Sequence, residues 1–424
     1  MNTKLQIKVA LFTAMAALSS QSVYATNGIN LNGYGARSTA MGGVGIGMTV
    51  DAITATTINP AGTAFLDDRL DVGLLILNPQ RRAACCNAPD GEVSDKGVFF
   101  IPNIGVSYKL DDTISFGVGM VGKGGGRTRY DKNFFSPGAD PLGINLEVAE
   151  MTGTVSYKMN DSHAFGVGLV IVAQRFEAQG LNAFEQFSND PVYVTDNQHD
   201  WSFGGGIRLG WQGKFMNDKL MLGAAYTSQR YTQKFDKYKG LFANGGEFDL
   251  PSDFGLGMSY KLYDDLTISF DWQKVFYTDS KSVSNSSLPI SSAANDPRNL
   301  GALNGPGFGW MDQDIFKLGF QYSYSPEIDL MAGFNYGESP IPDTDGGGEL
   351  EFNVLAPATT EKHLSVGGVY KLDNVSEITG TFWHAFKNTQ TQFIPVGTGL
   401  PFENQTILIE MRQWGWEVGY AYKF

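Results

Sequence analysis

The C-terminal stretch restricts the secondary structure open to this chain. Trp414, Trp416, Val418, Tyr420, Tyr422 and Phe424 share one parity, and Gly415, Glu417, Gly419, Ala421 and Lys423 share the other. Side chains of a β-strand alternate between faces, so such a stretch has one apolar, largely aromatic face and one small or charged face. The pattern recurs. Leu266, Ile268, Phe270 and Trp272 alternate with Thr267, Ser269 and Asp271, and Phe316, Leu318, Phe320, Tyr322 and Tyr324 with Lys317, Gly319, Gln321 and Ser323. A sandwich core accounts for one strand of this kind. Many in series, with no helical stretch between them, favour a closed barrel with a lipid-facing outside.

Composition agrees. The 424 residues include 52 glycines, 13% aromatic residues and only 18% charged residues. That is an unusual profile for an enzyme, but it suits strands that alternate lipid-facing rings with small or polar lumen residues. Net charge is −13, which disfavours nucleic acid as a partner.

The pattern predicts an all-β, 14-stranded antiparallel transmembrane barrel over residues 67–424. Expected strand cores are 70–78, 98–110, 113–122, 144–158, 163–178, 199–213, 218–235, 248–262, 265–280, 312–324, 327–339, 360–372, 375–390 and 406–424. Links after even-numbered strands are short: Asp111-Asp112, Asn160-Asp161, Met216-Asn217-Asp218, Tyr263-Asp264-Asp265, Ser325-Pro326 and Asp373-Asn374. Links after odd-numbered strands are long, among them 123–143, 179–198, 281–311 and 340–359. Short turns on one side and long loops on the other are the outer-membrane barrel pattern, with the short turns periplasmic.

Residues 1–25 read as a cleaved signal peptide. Lys4 and Lys8 form a positive region, Val9 to Leu18 a short apolar core, and Val23-Tyr24-Ala25 a small-residue cleavage site. About ten apolar residues are too few to span a bilayer as a helix, and no later segment is long enough. The expected location is the outer membrane of a Gram-negative cell.

Residues 26–66 do not fit the barrel pattern. They are rich in glycine (Gly28, Gly33, Gly35, Gly42, Gly43, Gly45, Gly47), carry Met41, Val44, Ile46, Ile53 and Phe65, and run into Asn59-Pro60-Ala61-Gly62. Modest apolar content and low charge predict a packed lumenal plug over a disordered tail. Tyr34 to Gly43 followed by Asn59, Pro60 and Ala61 resembles the hatch and Asn-Pro-Ala signature of the FadL/TodX family of long-chain fatty acid and hydrocarbon transporters. Leu222 to Ser228 is similar to that family's seventh-strand pattern, and Gly337 to Pro342 to its stretch after strand 11. Phe424, closing an aromatic strand, resembles the terminal signal for barrel insertion.

The resemblance implies uptake of a hydrophobic small molecule, most directly a long-chain fatty acid. Extracellular loops capture it, and it leaves sideways through a gap at a kink in strand 3, beside the hatch. Gly117-Val118-Gly119-Met120-Val121-Gly122-Lys123-Gly124-Gly125-Gly126 offers a physical basis for such a kink, because glycine weakens strands and permits bulges. Gly122, Gly124 and Gly125 are the candidate kink and lateral-exit residues. Arg208 and Lys317, on lumen parity, are candidate partners for a ligand carboxylate. Glu150, Asp271 and Glu417 also point inward, and mutual pairing within a hydrated lumen is the plain expectation for these charges. Phe134, Phe135, Phe184, Phe187, Leu241 and Phe242 are candidates for an apolar loop surface. Outer-membrane lipid and lipopolysaccharide are expected neighbours, and the chain is expected to act as a monomer without cofactor or metal.

Three other motifs bear on function. Gly117 to Lys123 nearly spells a phosphate-binding loop, but Gly124 stands where Ser or Thr is required and no helix is expected to follow. His363 and Ser365 match the spacing used by outer-membrane phospholipases, yet their parity faces the lumen, whereas those enzymes work on the lipid side. Cys85-Cys86, in the first long loop, can form a strained vicinal disulfide, stay as two thiols or contact a metal. A general diffusion porin is the alternative function, and a lipid hydrolase a more distant one.

Overall fold

Fourteen antiparallel strands form one closed wall. They are β1 (Arg69–Ala84), β2 (Phe99–Lys109), β3 (Ile114–Arg127), β4 (Gly143–Lys158), β5 (His163–Gln179), β6 (Asp200–Phe215), β7 (Leu220–Thr227), β8 (Ser252–Lys261), β9 (Leu266–Phe276), β10 (Gln313–Ser323), β11 (Ile328–Gly337), β12 (Lys362–Lys371), β13 (Ser376–Ile394) and β14 (Gln405–Lys423). Each pairs with its neighbour in sequence, and β1 pairs with β14 from Arg69↔Lys423 to Ala84↔Leu408, which closes the ring. The computed structural model describes residues 27–85, 92–133, 135–136, 138–139, 141–288, 290–342, 349–397 and 403–424; the predicted signal peptide lies outside them. Two short strands, Glu92–Lys96 and Tyr231–Thr232, pair onto β1 and β6.

Alternation sorts the two faces as predicted. On β14, Trp416 and Val418 are more than half exposed, whereas Glu417 between them is 2% exposed. An aromatic face turned outward is tolerable because lipid covers it. Short turns close on their own polar side chains. Asp111 Oδ1 accepts from the Thr113 and Ile114 amides at 2.8 Å each, and Asp373 Oδ1 from Val375 (2.8 Å) and Ser376 (2.7 Å). These are the bonds by which Asp and Asn nucleate tight turns.

Several strand ends differ from prediction. The seventh strand stops at Thr227 rather than 235, because Ser228 Oγ takes the Ile207 amide at 3.0 Å in place of a ladder partner. The ninth stops at Phe276 rather than 280, where Tyr277 turns into the lumen and its hydroxyl bonds Ile29 N (3.0 Å) and Asn27 O (2.9 Å). The third runs on to Arg127 rather than ending at 122.

The segment 27–66 lies within the ring and is almost wholly buried. It contains α1 (Ala36–Ala40), α2 (Ala52–Thr57) and a 3-10 turn, Pro60–Phe65. Asp51 caps α2 by accepting from Thr54 N (2.8 Å), while Thr54 Oγ1 accepts from Asp51 N (3.2 Å). Lumen-parity side chains bind its backbone. Asp271 accepts from Gly45 N (2.7 Å), Ile46 N (2.8 Å) and Gly47 N (3.2 Å). Asp71 accepts from Ala52 N (2.8 Å), and Arg69 joins Asp71 (2.6 Å) to Glu377 (3.0 Å), which also holds Arg37 (2.9 Å). Close approach needs small residues on the wall: a Cβ at Gly223 would stand 1.9 Å from Ile46 O.

Candidate ligand path and wall opening

The wall is discontinuous at the seam between β2 and β3. The β2–β3 ladder ends at Asn103↔Val121. Beyond it Phe99, Phe100, Ile101 and Pro102 pair only with β1, opposite Leu77, Ile76, Leu75 and Leu74. Pro102 has no N–H to offer a neighbour. On the other side β3 bulges: Gly122 faces Ala149 and Gly124 faces Val148, so Lys123 is an extra residue without a β4 partner in the register. Past the bulge, β3 swings onto the N-terminal segment. Gly125 N donates to Ile29 O (3.0 Å), Leu31 N to Lys123 O (3.4 Å) and Tyr34 Oη to Lys123 O (3.0 Å). A Cβ at Gly124 would stand 1.7 Å from Ile29 O, so this contact admits only glycine there. Gly122, Gly124 and Gly125 therefore sit together at the bulge. The Arg127 guanidinium lies 5.8 Å from the Phe99 ring, across the seam.

Apolar space leads from the loops to this point. An apolar cavity lies among Phe184, Leu241, Phe242, Phe308 and Phe352. It shares Ile144, Phe176, Phe242 and Phe308 with a second. The second shares Gly125, Gly126, Trp310 and Ala356 with a third, where Arg81 and Arg127 enter the lining. Walls are rigid where rings interlock: Phe176 sits 4.8 Å from Tyr238 and 4.6 Å from Phe242, both edge-on.

The family described as outer membrane protein transport protein (OMPP1/FadL/TodX) matches residues 15–424. The chain belongs to the FadL/TodX family. Its fold is that of the Pseudomonas putida toluene transporter TodX (TM-score 0.67, 18% identity, 93% of this chain and 99% of that one). It is also that of a Pseudomonas aeruginosa FadL homologue (TM-score 0.67, 14% identity, 94% and 100%) and of the Ralstonia pickettii toluene transporter TbuX (TM-score 0.64, 18% identity, 93% and 99%). A search of curated protein sequences finds no match. Membership makes this barrel an outer-membrane transporter of hydrophobic small molecules.

Within this FadL/TodX barrel the predicted residues divide. Phe184, Leu241 and Phe242 line the first cavity, Phe135 packs edge-on against Phe184 at 5.1 Å, and Phe187 is buried in the same apolar cluster. Phe134 lies outside the described residues. Arg208 and Lys317 line none of the three cavities. Arg208 is committed to Thr56 O (3.2 Å), Thr152 Oγ1 (3.0 Å) and Glu150 (3.1 Å), and Lys317 Nζ to Gln273 Oε1 (2.9 Å). Both hold the interior together at the level of the N-terminal segment.

Asn59 Nδ2 donates to Ile46 O (2.9 Å) and Trp211 O (3.0 Å), and Asn59 Oδ1 accepts from Ala61 N (3.2 Å), with Pro60 starting the turn. Ser365 Oγ donates to Ala40 O (3.0 Å) and accepts from Gly42 N (3.1 Å), so its hydrogen is directed at the segment and not at His363. Gly117 to Lys123 is strand, not a phosphate loop. Cys85 is disulfide-bonded, and Cys86 lies outside the described residues.

Phe176, Phe308, Trp310 and Phe352 were not singled out from sequence. One signal was available for Phe176. Ile144, Leu146 and Val148 on β4 and Val170, Val172 and Phe176 on β5 are apolar on lumen parity, against the small or polar rule elsewhere.

Proposed function

We propose that this barrel takes up long-chain fatty acids, capturing them among the loop aromatics and releasing them sideways into the bilayer between β2 and β3. The observation that carries this reading is the run of three wall-sharing apolar cavities that starts at Phe184 and Phe242 and ends at Gly125 and Gly126, beside the unpaired seam. At roughly 25 cal/mol per Å2, burial of an alkyl chain along such a run binds it without strong polar contacts. Cations enter the lining only in the third cavity, at Arg81 and Arg127, which suits a carboxylate at that end. In this reading residues 1–25 are a cleaved leader, 26–66 a hatch that blocks straight passage, and 67–424 the barrel.

A second reading, a neutral monoaromatic hydrocarbon, is favoured by the ring-rich lining of the first two cavities, where no cation is found. Extraction of the purified protein and mass spectrometry of what it carries separates the two.

Gly124→Val tests the lateral exit. Its Cβ cannot coexist with Ile29 O, so the bulge must refold and oleate uptake should fall at least tenfold at normal levels of folded barrel. Wild-type uptake by that variant would sink the lateral exit while leaving loop capture standing.

A further inference from the structure

The barrel carries a second recess, on its outside. A groove at the ends of β3–β6 remote from the short turns is lined by Arg127, Arg129, Asn145, Arg175, Glu177, Gln179 and His199. Its position relative to lipid follows from β5. Outward residues Phe165, Val167, Leu169 and Ile171 are 40–63% exposed, and the same parity continues as Ala173, Arg175, Glu177 and Gln179. The groove begins where the apolar belt ends. Trp201 and Phe203, stacked with centroids 6.1 Å apart, mark that boundary as an interfacial aromatic girdle does, and the Arg175 guanidinium lies 5.5 Å from the Trp201 ring.

The charges are partly matched already. Arg175 pairs with Glu147 at 2.7 Å, and His199 lies 3.2 Å from Glu177. Arg127 rests on the Phe99 ring, and the Arg129 side chain has no hydrogen bond or ion pair among the described residues. The Asn145 and Gln179 amides already donate to Glu147 (3.0 Å) and Glu177 (3.1 Å), so the Arg127 and Arg129 guanidinium groups, which have no carboxylate partner among the described residues, are the donors open to an anion in a chain of net charge −13. Guanidinium donors suit phosphate oxygens by geometry as well as charge. A free anion would gain nothing from the adjoining apolar belt, whereas an amphiphile gains from both.

We propose that this groove binds the net-anionic, phosphate-bearing head group of an outer-leaflet lipid, whose acyl chains lie along Ile171, Trp201 and Phe203. The proposal rests on the membrane reading of the belt but not on the transport path. Its test uses Arg129→Gln/Arg175→Gln and leaves Arg127, which also lines the third cavity, untouched. Full-length barrel in detergent is incubated with phosphatidylglycerol, with phosphatidylcholine, or with phosphatidylglycerol plus an equal concentration of inorganic phosphate, and bound lipid is counted by native mass spectrometry. Wild-type protein should retain phosphatidylglycerol at least tenfold better than phosphatidylcholine, the double variant should lose that preference, and inorganic phosphate should displace nothing. Equal retention of the two lipids by wild type, or an unchanged preference in the variant, overturns the site. Displacement by inorganic phosphate overturns the lipid assignment in favour of a small anion. Heat-modifiable migration verifies folding, and Arg129→Gln alone serves if the double variant does not fold. Oleate uptake by the same variants should equal wild type; a loss would show that the groove belongs to the path.

Discussion

Single polar side chains on the lumen parity hold the N-terminal segment in place. Asp271 is the clearest, with three amide donors from Gly45, Ile46 and Gly47 on one carboxylate. Hydrogen bonds to a charged acceptor contribute about 1.5–3 kcal/mol each. Asp271→Asn keeps the shape and turns one acceptor into a donor facing N–H groups. Amide exchange at residues 45–47 should accelerate at least tenfold, a change that corresponds to about 1.4 kcal/mol of local opening. Unchanged exchange would show that the wall holds the segment by shape alone. Glu351 behaves differently. It sits in a loop helix, Glu349–Asn353, where neither carboxyl oxygen has a hydrogen-bond partner among the described residues, and burial pushes its carboxyl up to about 8. The folded loop then keeps a proton that an unfolded carboxyl, near 4.5, has already released. Docking of this helix beside the first cavity is fully stable below that lower value, weakens as pH rises to about 8, and levels off above it. Glu351→Gln should remove the dependence, so that exchange protection of residues 350–355 falls between pH 5 and 8 in wild type and stays flat in the variant.

At the scale of elements, the 3-10 turn Pro60–Phe65 and strand β3 are coupled through the same segment. Asn59 caps the turn and also reaches Ile46 O and Trp211 O, so one side chain joins turn, segment and wall. Loss of an N-cap costs about 0.5–2 kcal/mol. Asn59→Ala should loosen the turn by at least that much, while Asn59→Asp, which keeps the capping acceptor and loses the amide donor, should fall between. Limited proteolysis across residues 45–66 measures the order, and equal protection in all three proteins would show that Asn59 is passive. Much of this was legible: Asn59-Pro60-Ala61 and the glycine run before Arg127 stand out in the sequence. The bulge position was not, because any of Gly122, Gly124, Gly125 or Gly126 can bend a strand. The choice fell to the approach of Ile29, which leaves no space for a side chain at Gly124.

At the scale of the molecule, a closed wall and a packed interior make two separable parts. All fourteen strands find partners within the ring, and β1 pairs with β14 along its whole length, so the wall closes without the segment. Deleting residues 27–62 should therefore leave a heat-modifiable barrel with a raised, unselective conductance in planar bilayers. An intact protein that already conducts small ions like an open pore would instead favour the porin reading.

Alternation by parity determined the strand number, the direction of each face and the order of short and long links, because each follows from a two-residue period that local sequence carries. It also placed Arg208, Lys317, Asp271 and Glu417 on the inside. What those groups meet there was decided only by tertiary structure. Arg208 and Lys317, the sequence candidates for a ligand carboxylate, are taken up by Glu150, Thr56 and Gln273, partners that sit far away in the chain. The apolar path likewise joins Phe176 on a strand to Phe242, Phe308, Trp310 and Phe352 on three separate long loops. No periodicity links residues so distant in sequence, and only the closed ring brings them to one space.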